Sequence, residues 1–182
     1  YVISEADIET HGCERSGDRG MLMQDPDFRE IVIDRVRRMT ETLKNHPCIL
    51  IWSLCNETGW GENLAEAARY LKARDPDRPV HCESFYSHRD FHDRAYMDKA
   101  DGLLDMCSNM YASFEKMEDF LTIREENRPF FQCEYSHAMG NSCGDIRQYV
   151  EFFYAHERMM GGCIWQWCDH ARRLSAPDGT EY

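Results

Sequence analysis

The sequence contains no long apolar run and no excess of positive charge. No apolar stretch in its 182 residues approaches the roughly 20 residues of a membrane-spanning helix. Lysine and arginine total 21 against 33 aspartates and glutamates, a net charge of −12, so nucleic acids and anionic membranes are poor partners. The chain opens without a secretory signal and with Tyr1, so we expect a processed product or a piece of a longer protein.

Paired cysteines are also missing, although cysteine itself is common. The nine cysteines form no Cys-x-x-Cys motif, and their number is odd. A disulfide framework or a structural zinc site would show pairs or closely spaced ligands, so a Cys/His metal-binding protein is excluded on spacing. We interpret the cysteines as small buried apolar residues of a protein in the reducing cytoplasm.

What the sequence does contain is an alternation of short apolar runs and amphipathic helices. The runs lie at residues 1–4, 48–54, 79–83, 104–110, 129–134 and 162–167. The clearer runs are continuous, as is typical of parallel strands covered on both faces. Asp25 followed by Pro26 predicts the start of the first long helix, and further helices follow near residues 64, 114 and 146. The repeat predicts an α/β fold with a parallel sheet.

Polar side chains gather where these apolar runs end. They are Glu9, His11, Asn56, Glu57, Glu83, Tyr111, Glu134, His137 and Asp169. Barrels and doubly wound sheets build their active sites at the carboxyl ends of parallel strands. The pattern therefore predicts an active site at one edge of the sheet.

Two glutamates in this group, Glu57 and Glu134, end strongly apolar runs. A carboxylate there is costly to bury unless it is paired or functional. Either one alone would as readily cap a helix or pair with an arginine, but two in one sheet favour function. Paired carboxylates suit glycoside hydrolysis, in which one protonates the leaving oxygen and the other attacks the sugar or activates water.

A metal site and a sugar platform are further candidates. Glu9 and His11 would point the same way in an extended segment, and Glu57 could complete a site for Mg²⁺ or Mn²⁺, although a solvated histidine is the commoner explanation of such spacing. Trp165 and Trp167 share one face of a predicted strand, and either could lie under a sugar ring or pack in the core. Position nearer the strand end slightly favours Trp167.

Four segments together carry a resemblance to glycoside hydrolase family 2. They read EADIETHG at residues 5–12, NHPCILIWSLCNETG at 45–59, CEYSHAMGNS at 133–142 and GGCIWQWCD at 161–169. The third segment resembles the form found in large bacterial β-galactosidases. The segments span nearly the whole chain in the family's order.

The resemblance implies a retaining exo-β-galactosidase on a TIM barrel, an α/β fold, that hydrolyses terminal β-galactosides such as lactose. Glu57 would be the general acid/base and Glu134 the nucleophile. Substrate would be bound by Asn56, Tyr111, His137 and Trp165, so the resemblance moves the platform from Trp167 to Trp165. Mg²⁺, or Mn²⁺ in its place, would be held by Glu9, His11 and Glu57.

The chain also departs from that family. A TIM barrel has eight strands and about 250 residues, whereas residues 1–182 offer six strand candidates, matching the third to the eighth. We therefore expect a partial catalytic barrel whose exposed edge strands cause self-association, or which belongs to a longer chain with further domains.

Two alternatives to a working β-galactosidase remain open. One is an inactive truncated barrel that needs complementation by the missing strands. The other is a related exo-glycosidase, a β-glucuronidase or a β-mannosidase. A glucuronidase needs a cation for the substrate carboxylate, and no lysine lies in sequence beside the strand-end cluster.

Overall fold

A computed structural model describes residues 1–87, 89–139, 143–166 and 173–181. Within these ranges, strands alternate with helices along the chain. The strands are β1 (Val2–Glu5), β2 (Ile49–Ser53), β3 (Val80–His81), β4 (Cys107–Met110), β5 (Phe130–Tyr135) and β6 (Met159–Ile164). The α-helices are α1 (Met21–Gln24), α2 (Arg29–Leu43), α3 (Glu62–Arg74), α4 (Glu83–Tyr86), α5 (Arg94–Met97), α6 (Phe114–Thr122) and α7 (Ile146–Ala155), and 3₁₀ helices lie at His11–Ser16, Pro26–Phe28 and Asp98–Ala100.

The strands form two parallel sheets that adjoin each other. Strands β1, β2 and β3 pair in that order, and β4, β5 and β6 pair in theirs. Between the two sheets, Asp105 N donates to Val80 O at 3.0 Å, and His81 Nε2 lies 2.8 Å from Ser108 Oγ. Because every pairing is parallel, the carboxyl ends of the strands meet at one edge of this wall.

The six predicted strands are all present in the described part of the chain, with three changes of extent. Strand β4 begins at Cys107, three residues later than predicted. Strand β3 has only two residues, because the backbone turns into α4 at Glu83. Strand β6 starts at Met159 and ends at Ile164, so Trp165 follows the strand instead of lying within it. Trp167 and Asp169 lie outside the described residues.

The long helices follow from capping and apolar spacing. The Asp25 carboxylate accepts a hydrogen bond from Asp27 N at 3.0 Å, which confirms the predicted start, although the first turn is a 3₁₀ helix. Val32, Val36 and Thr40 recur every fourth residue of α2 and are buried. Helices α1, α4 and α5 were not predicted, because four residues are too few to show a helical period.

The core lies between the sheets and these helices. Trp52, on β2, is fully buried, and its Nε1 donates to Asp75 Oδ2 at 3.0 Å. Of the eight described cysteines, all of them free, three are buried as predicted: Cys55, Cys82 and Cys107. The expectation is wrong for the exposed Cys48, Cys143 and Cys163. Cys163 lies on β6, which pairs only with β5 among the described strands and leaves one side open.

Two substitutions test how this core is placed. Leu71, on α3, is fully buried, whereas Tyr154, on α7, is 91% exposed. We expect Leu71→Ala to lower the free energy of unfolding by about 2–5 kcal/mol, because it removes apolar contacts and leaves a cavity. Tyr154→Ala should change it by less than about 0.5 kcal/mol. Urea unfolding of the two variants measures this, and equal losses would contradict the burial described.

Candidate active site

The chain turns sharply just after three of the strands. Glu57 follows β2, Tyr111 follows β4 and Ser136 follows β5, and their φ angles are +43°, +48° and +50°. Residues other than glycine rarely adopt this left-handed backbone conformation, which costs of the order of 1–3 kcal/mol per residue. The surrounding structure must hold these backbones, and such strain concentrates at functional sites.

Glu134 lies near the end of β5, beside Tyr111. The Tyr111 hydroxyl donates to Glu134 Oε2 at 2.6 Å, and Tyr111 N donates to the Glu134 carbonyl at 2.8 Å. The Tyr111 ring also packs against His137, with 5.6 Å between ring centroids. The carboxylate is therefore held in one orientation, with its second oxygen, Oε1, outside this hydrogen bond.

The pKa of Glu134 is raised from its ordinary value, chiefly by burial. The negative charges of Glu57 and Glu83 raise it further, whereas the hydrogen bond from Tyr111 and the charge of His137 lower it. Burial, and after it the same hydrogen bond, raises the pKa of the Tyr111 hydroxyl. Tyr111 thus favours the ionised form of a carboxylate whose pKa is raised by the rest of its surroundings.

Glu57, Glu9 and His11 meet in one cluster. One ligand atom from each lies within 4.8 Å of the others, and His11 Nδ1 lies 2.7 Å from Glu57 Oε2. The cluster forms because Asn56 N donates to Ile8 O at 3.0 Å, which ties the segment after β1 to the turn after β2. Two segments that are far apart in sequence thereby share one site.

The donors of this cluster fit a divalent cation. Two carboxylates and one imidazole suit Mg²⁺ or Mn²⁺, and the side chain of His11 is 46% exposed, which leaves room for water as further ligands. The imidazole nitrogen already faces a carboxylate oxygen at 2.7 Å, so little movement would be needed to bring both onto an ion. These residues can hold such an ion.

A cavity of about 290 Å³ lies at the same edge of the sheets. Its polar lining comes from successive strands or the turns after them and includes Glu5, Asn56, His81, Glu83, Glu134 and Trp165. The volume is near the lower end for clefts that bind small molecules. None of the described residues that line it is a lysine or an arginine.

A row of hydrogen bonds crosses the floor of this cavity. Ser53 Oγ donates to Glu5 Oε2 at 2.6 Å and lies 2.8 Å from His81 Nδ1, and His81 Nε2 lies 2.8 Å from Ser108 Oγ. Since the Ser53 proton is used on Glu5, Nδ1 of His81 must donate, and Nε2 must accept from Ser108. Burial lowers the pKa of His81 to about 3, so the ring is neutral at pH 7, and burial raises the pKa of Glu5.

The structure brings the predicted site residues together in two adjoining groups. Asn56, Glu134 and Trp165 line the cavity, with Tyr111 and His137 beside Glu134. The second group is the cluster of Glu9, His11 and Glu57, and the charge of Glu57 acts on Glu134.

Sequence reasoning assigned no role to Glu5 or Glu83. Glu83 is 3% exposed, and both Glu83 and Glu5 line the cavity. Both end apolar runs of the sequence, which was the signal used to choose Glu57 and Glu134. Glu5 opens the segment EADIETHG, but only Glu9 and His11 of that segment were given a role, and Glu83 stands outside the four segments that carry the resemblance.

Curated proteins that resemble this chain include several named β-galactosidase. The protein of Priestia megaterium is 39% identical over 186 residues, covering 100% of this chain and 17% of the relative. Those of Halalkalibacterium halodurans and Staphylococcus xylosus are 41% and 38% identical, covering 100% and 99% of this chain and 18% of each relative. The chain therefore spans less than a fifth of the length of these relatives.

Solved structures share the fold at lower sequence identity. A glycosyl hydrolase family 2 member from Bacteroides cellulosilyticus superposes with a TM-score of 0.59 at 21% identity, covering 76% of this chain and 17% of that one. A family 2 β-galacturonidase from Eisenbergiella tayi, bound to galacturonate, gives 0.57 at 21% identity, covering 80% and 31%.

Alternating parallel strands and helices, with glutamates gathered at the strand ends, define a glycoside hydrolase domain of the TIM-barrel type. The sequence profile of glycosyl hydrolases family 2, TIM barrel domain, matches residues 1–181. The chain belongs to this family. In the described part of the chain, no helix has both the length and the apolar character needed to cross a membrane.

Tyr111→Phe tests the electrostatics around Glu134. Removing the hydroxyl leaves only the charge of His137 to oppose burial and the neighbouring carboxylates, so the pKa of Glu134 should rise further. Carboxyl ¹³C chemical shifts of labelled glutamate, followed across pH, measure this change. Tyr154→Phe is the control, because Tyr154 is 91% exposed. A pKa of Glu134 that falls or stays constant in Tyr111→Phe would contradict the assigned role of the hydrogen bond.

Proposed function

We propose that this domain is the catalytic region of a retaining exo-β-galactosidase that hydrolyses terminal β-galactosides of the lactose type. The observation that carries the proposal is the arrangement of Glu57 and Glu134, which come from different strand ends and interact electrostatically, with Glu134 in the lining of the cavity. The substrate class is supported by the β-galactosidases that match the whole chain at about 40% identity. A cavity without lysine or arginine in its described lining suits a neutral sugar better than a uronic acid.

In the first half of the reaction, Glu134 acts as the nucleophile. Its Oε1 attacks the anomeric carbon while Tyr111 holds Oε2 and favours the ionised carboxylate. Glu57 donates a proton to the glycosidic oxygen as the bond to the leaving group breaks. The product is a galactosyl ester of Glu134.

In the second half, Glu57 acts as the base. It removes a proton from a water molecule, which attacks the anomeric carbon and releases Glu134. Two inversions give overall retention. Asn56 would hydrogen-bond the 2-hydroxyl of the sugar, His137 would contact other hydroxyls, and Trp165, which is 38% exposed in the cavity wall, would offer its ring to an apolar face of the sugar.

Glu9, His11 and Glu57 would hold Mg²⁺, or Mn²⁺ in its place. A cation there supplies positive charge beside the acid/base carboxylate and strengthens its acidity. His11 orients Glu57 through the 2.7 Å contact to Oε2, so its other oxygen is the one that faces the glycosidic oxygen.

We propose that residues 1–182 form part of a larger barrel and correspond to its third to eighth strands. Among the described residues, β1 pairs only with β2 and β6 only with β5. A groove of about 940 Å³ runs along β1 and α2, with Ile31, Met39 and Leu43 in its lining. We propose that further strands and helices of a longer protein, or a second copy of this chain, cover these edges, and that the protein works in the cytoplasm.

The functional test is hydrolysis of an aryl β-galactoside in the presence of Mg²⁺. Glu134→Gln should lower kcat at least about 10³-fold for every substrate, because the nucleophile is lost. Glu57→Gln should lower it by about 10²–10⁴-fold for a poor leaving group and much less for an activated one, which needs no proton. Glu118→Gln, at an exposed position of α6, is the control. Equal activity in all four proteins would reject the proposal.

The metal proposal is tested on stability as well as on rate. Mg²⁺ should raise the melting temperature of the unmodified protein, because an ion that binds only the folded state stabilises it. Glu9→Gln removes one ligand but leaves the contact of His11 with Glu57, and it should weaken Mg²⁺ binding at least about tenfold. Calorimetric titration measures the affinity. Unchanged Mg²⁺ affinity in Glu9→Gln would contradict the ligand assignment.

A further inference from the structure

Two adjacent residues at the start of α4 hold the backbone of Glu57. Glu57 N donates to Glu83 Oε2 at 3.1 Å, and the next amide, Thr58 N, donates to Ser84 Oγ at 2.9 Å. The Ser84 hydroxyl in turn donates to the same Oε2 of Glu83 at 3.1 Å. Together these three hydrogen bonds form a ring that contains the side chains of Glu83 and Ser84 and the backbone amides of Glu57 and Thr58.

The backbone held by this ring is strained. Glu57 has a φ of +43°, where a side chain with a Cβ is disfavoured. A return of φ to the usual negative range would swing the Glu57 side chain away from both His11 and Glu134. The ring opposes this rotation because it fixes the direction of two N–H bonds, those of Glu57 and Thr58.

Glu83 is an unusual residue to find here. It is 3% exposed, and none of the ion pairs formed by the described residues includes it. It also adds a negative charge beside Glu134 and Glu5, whose pKa values it raises. Burying a carboxylate without an ion pair is costly, and Gln would offer the same acceptor oxygen without the charge, so stability alone does not explain a glutamate here.

We propose that Glu83, with Ser84 as its partner, is a positioning residue that keeps the acid/base Glu57 in its strained, productive orientation. The inference rests on the proposed function, because it assigns Glu83 to the acid/base half of that reaction. Glu83 acts through a hydrogen bond to the Glu57 amide. Its negative charge is not required for that bond.

Three variants separate the hydrogen bond from the charge and from general stability. Glu83→Leu removes the acceptor, whereas Glu83→Gln keeps an acceptor oxygen and removes the charge. Ser84→Ala removes the hydroxyl that bonds to Thr58 N and Glu83 but keeps Glu83 itself. It therefore still tests the proposal if Glu83→Leu does not fold.

The control for a buried glutamate away from the site is Glu126→Gln, because Glu126 is 4% exposed and also accepts a backbone hydrogen bond, from Arg128 N at 3.0 Å. Unlike Glu83, it is paired with Arg94 and Arg128, so any loss of stability should be larger in this control.

The kinetic measurement uses the intact protein that contains this chain and two aryl β-galactosides, one with a good and one with a poor leaving group. Glu83→Leu should lower kcat about 10²-fold for the poor leaving group and only a few-fold for the good one, with KM little changed. Ser84→Ala should show the same selectivity at about tenfold or less. Glu83→Gln should stay within about fivefold of the unmodified protein, and Glu126→Gln should show no selectivity between leaving groups.

A second measurement does not depend on activity. Amide hydrogen exchange at Glu57 should be fast in Glu83→Leu and slow in Glu83→Gln and in the unmodified protein. Slow exchange at Glu57 in Glu83→Leu, equal losses for the two substrates, or damage by Gln as severe as by Leu would each overturn the positioning role. An unmodified protein that hydrolyses neither substrate would reject the proposed function, while the exchange data would still decide whether Glu83 holds the turn.

Discussion

Mutual repulsion among carboxylates at one edge of the sheets is the constraint on which the rest of this structure depends. The carboxylates belong to Glu5, Glu57, Glu83 and Glu134. Parallel pairing brings them together, and each is offset by a different donor: the hydroxyl of Ser53, the imidazole of His11, the amide of Glu57 and the hydroxyl of Tyr111. Because the donors differ, four similar side chains acquire different environments, and the proposed roles of acid/base and nucleophile follow from that difference.

These donors are available only because the backbone is bent after the strands. Tyr111 reaches Glu134 from a turn at positive φ, and the Glu57 amide reaches Glu83 from another. An extended continuation of either strand would point the same groups elsewhere. The strain is maintained by well-buried neighbours, among them Thr58 and Ser84, so the precision of the site depends on the rigidity of the layer beneath it.

The sequence predicted the alternation of strands and helices, because each long element buries a periodic face that is visible in one dimension. It also predicted that Glu57 and Glu134, which end apolar runs, belong to an active site. It did not predict the four-residue helices or the contact of Glu83 with Glu57, since that contact joins residues 26 positions apart through a backbone atom. The sequence also did not predict that Cys163 is exposed, because its burial depends on whether another element covers β6.

By itself, the sequence determined the family, the order of the strands and the residue types available for chemistry, because local propensity and motif spacing are properties of the chain alone. Only the tertiary structure decided which carboxylate faces which donor. Glu9 and His11 meet Glu57 because the segment after β1 hydrogen-bonds to Asn56, and His81 is neutral because it is buried between two serines. Such environments depend on contacts between distant segments, and no single segment contains them.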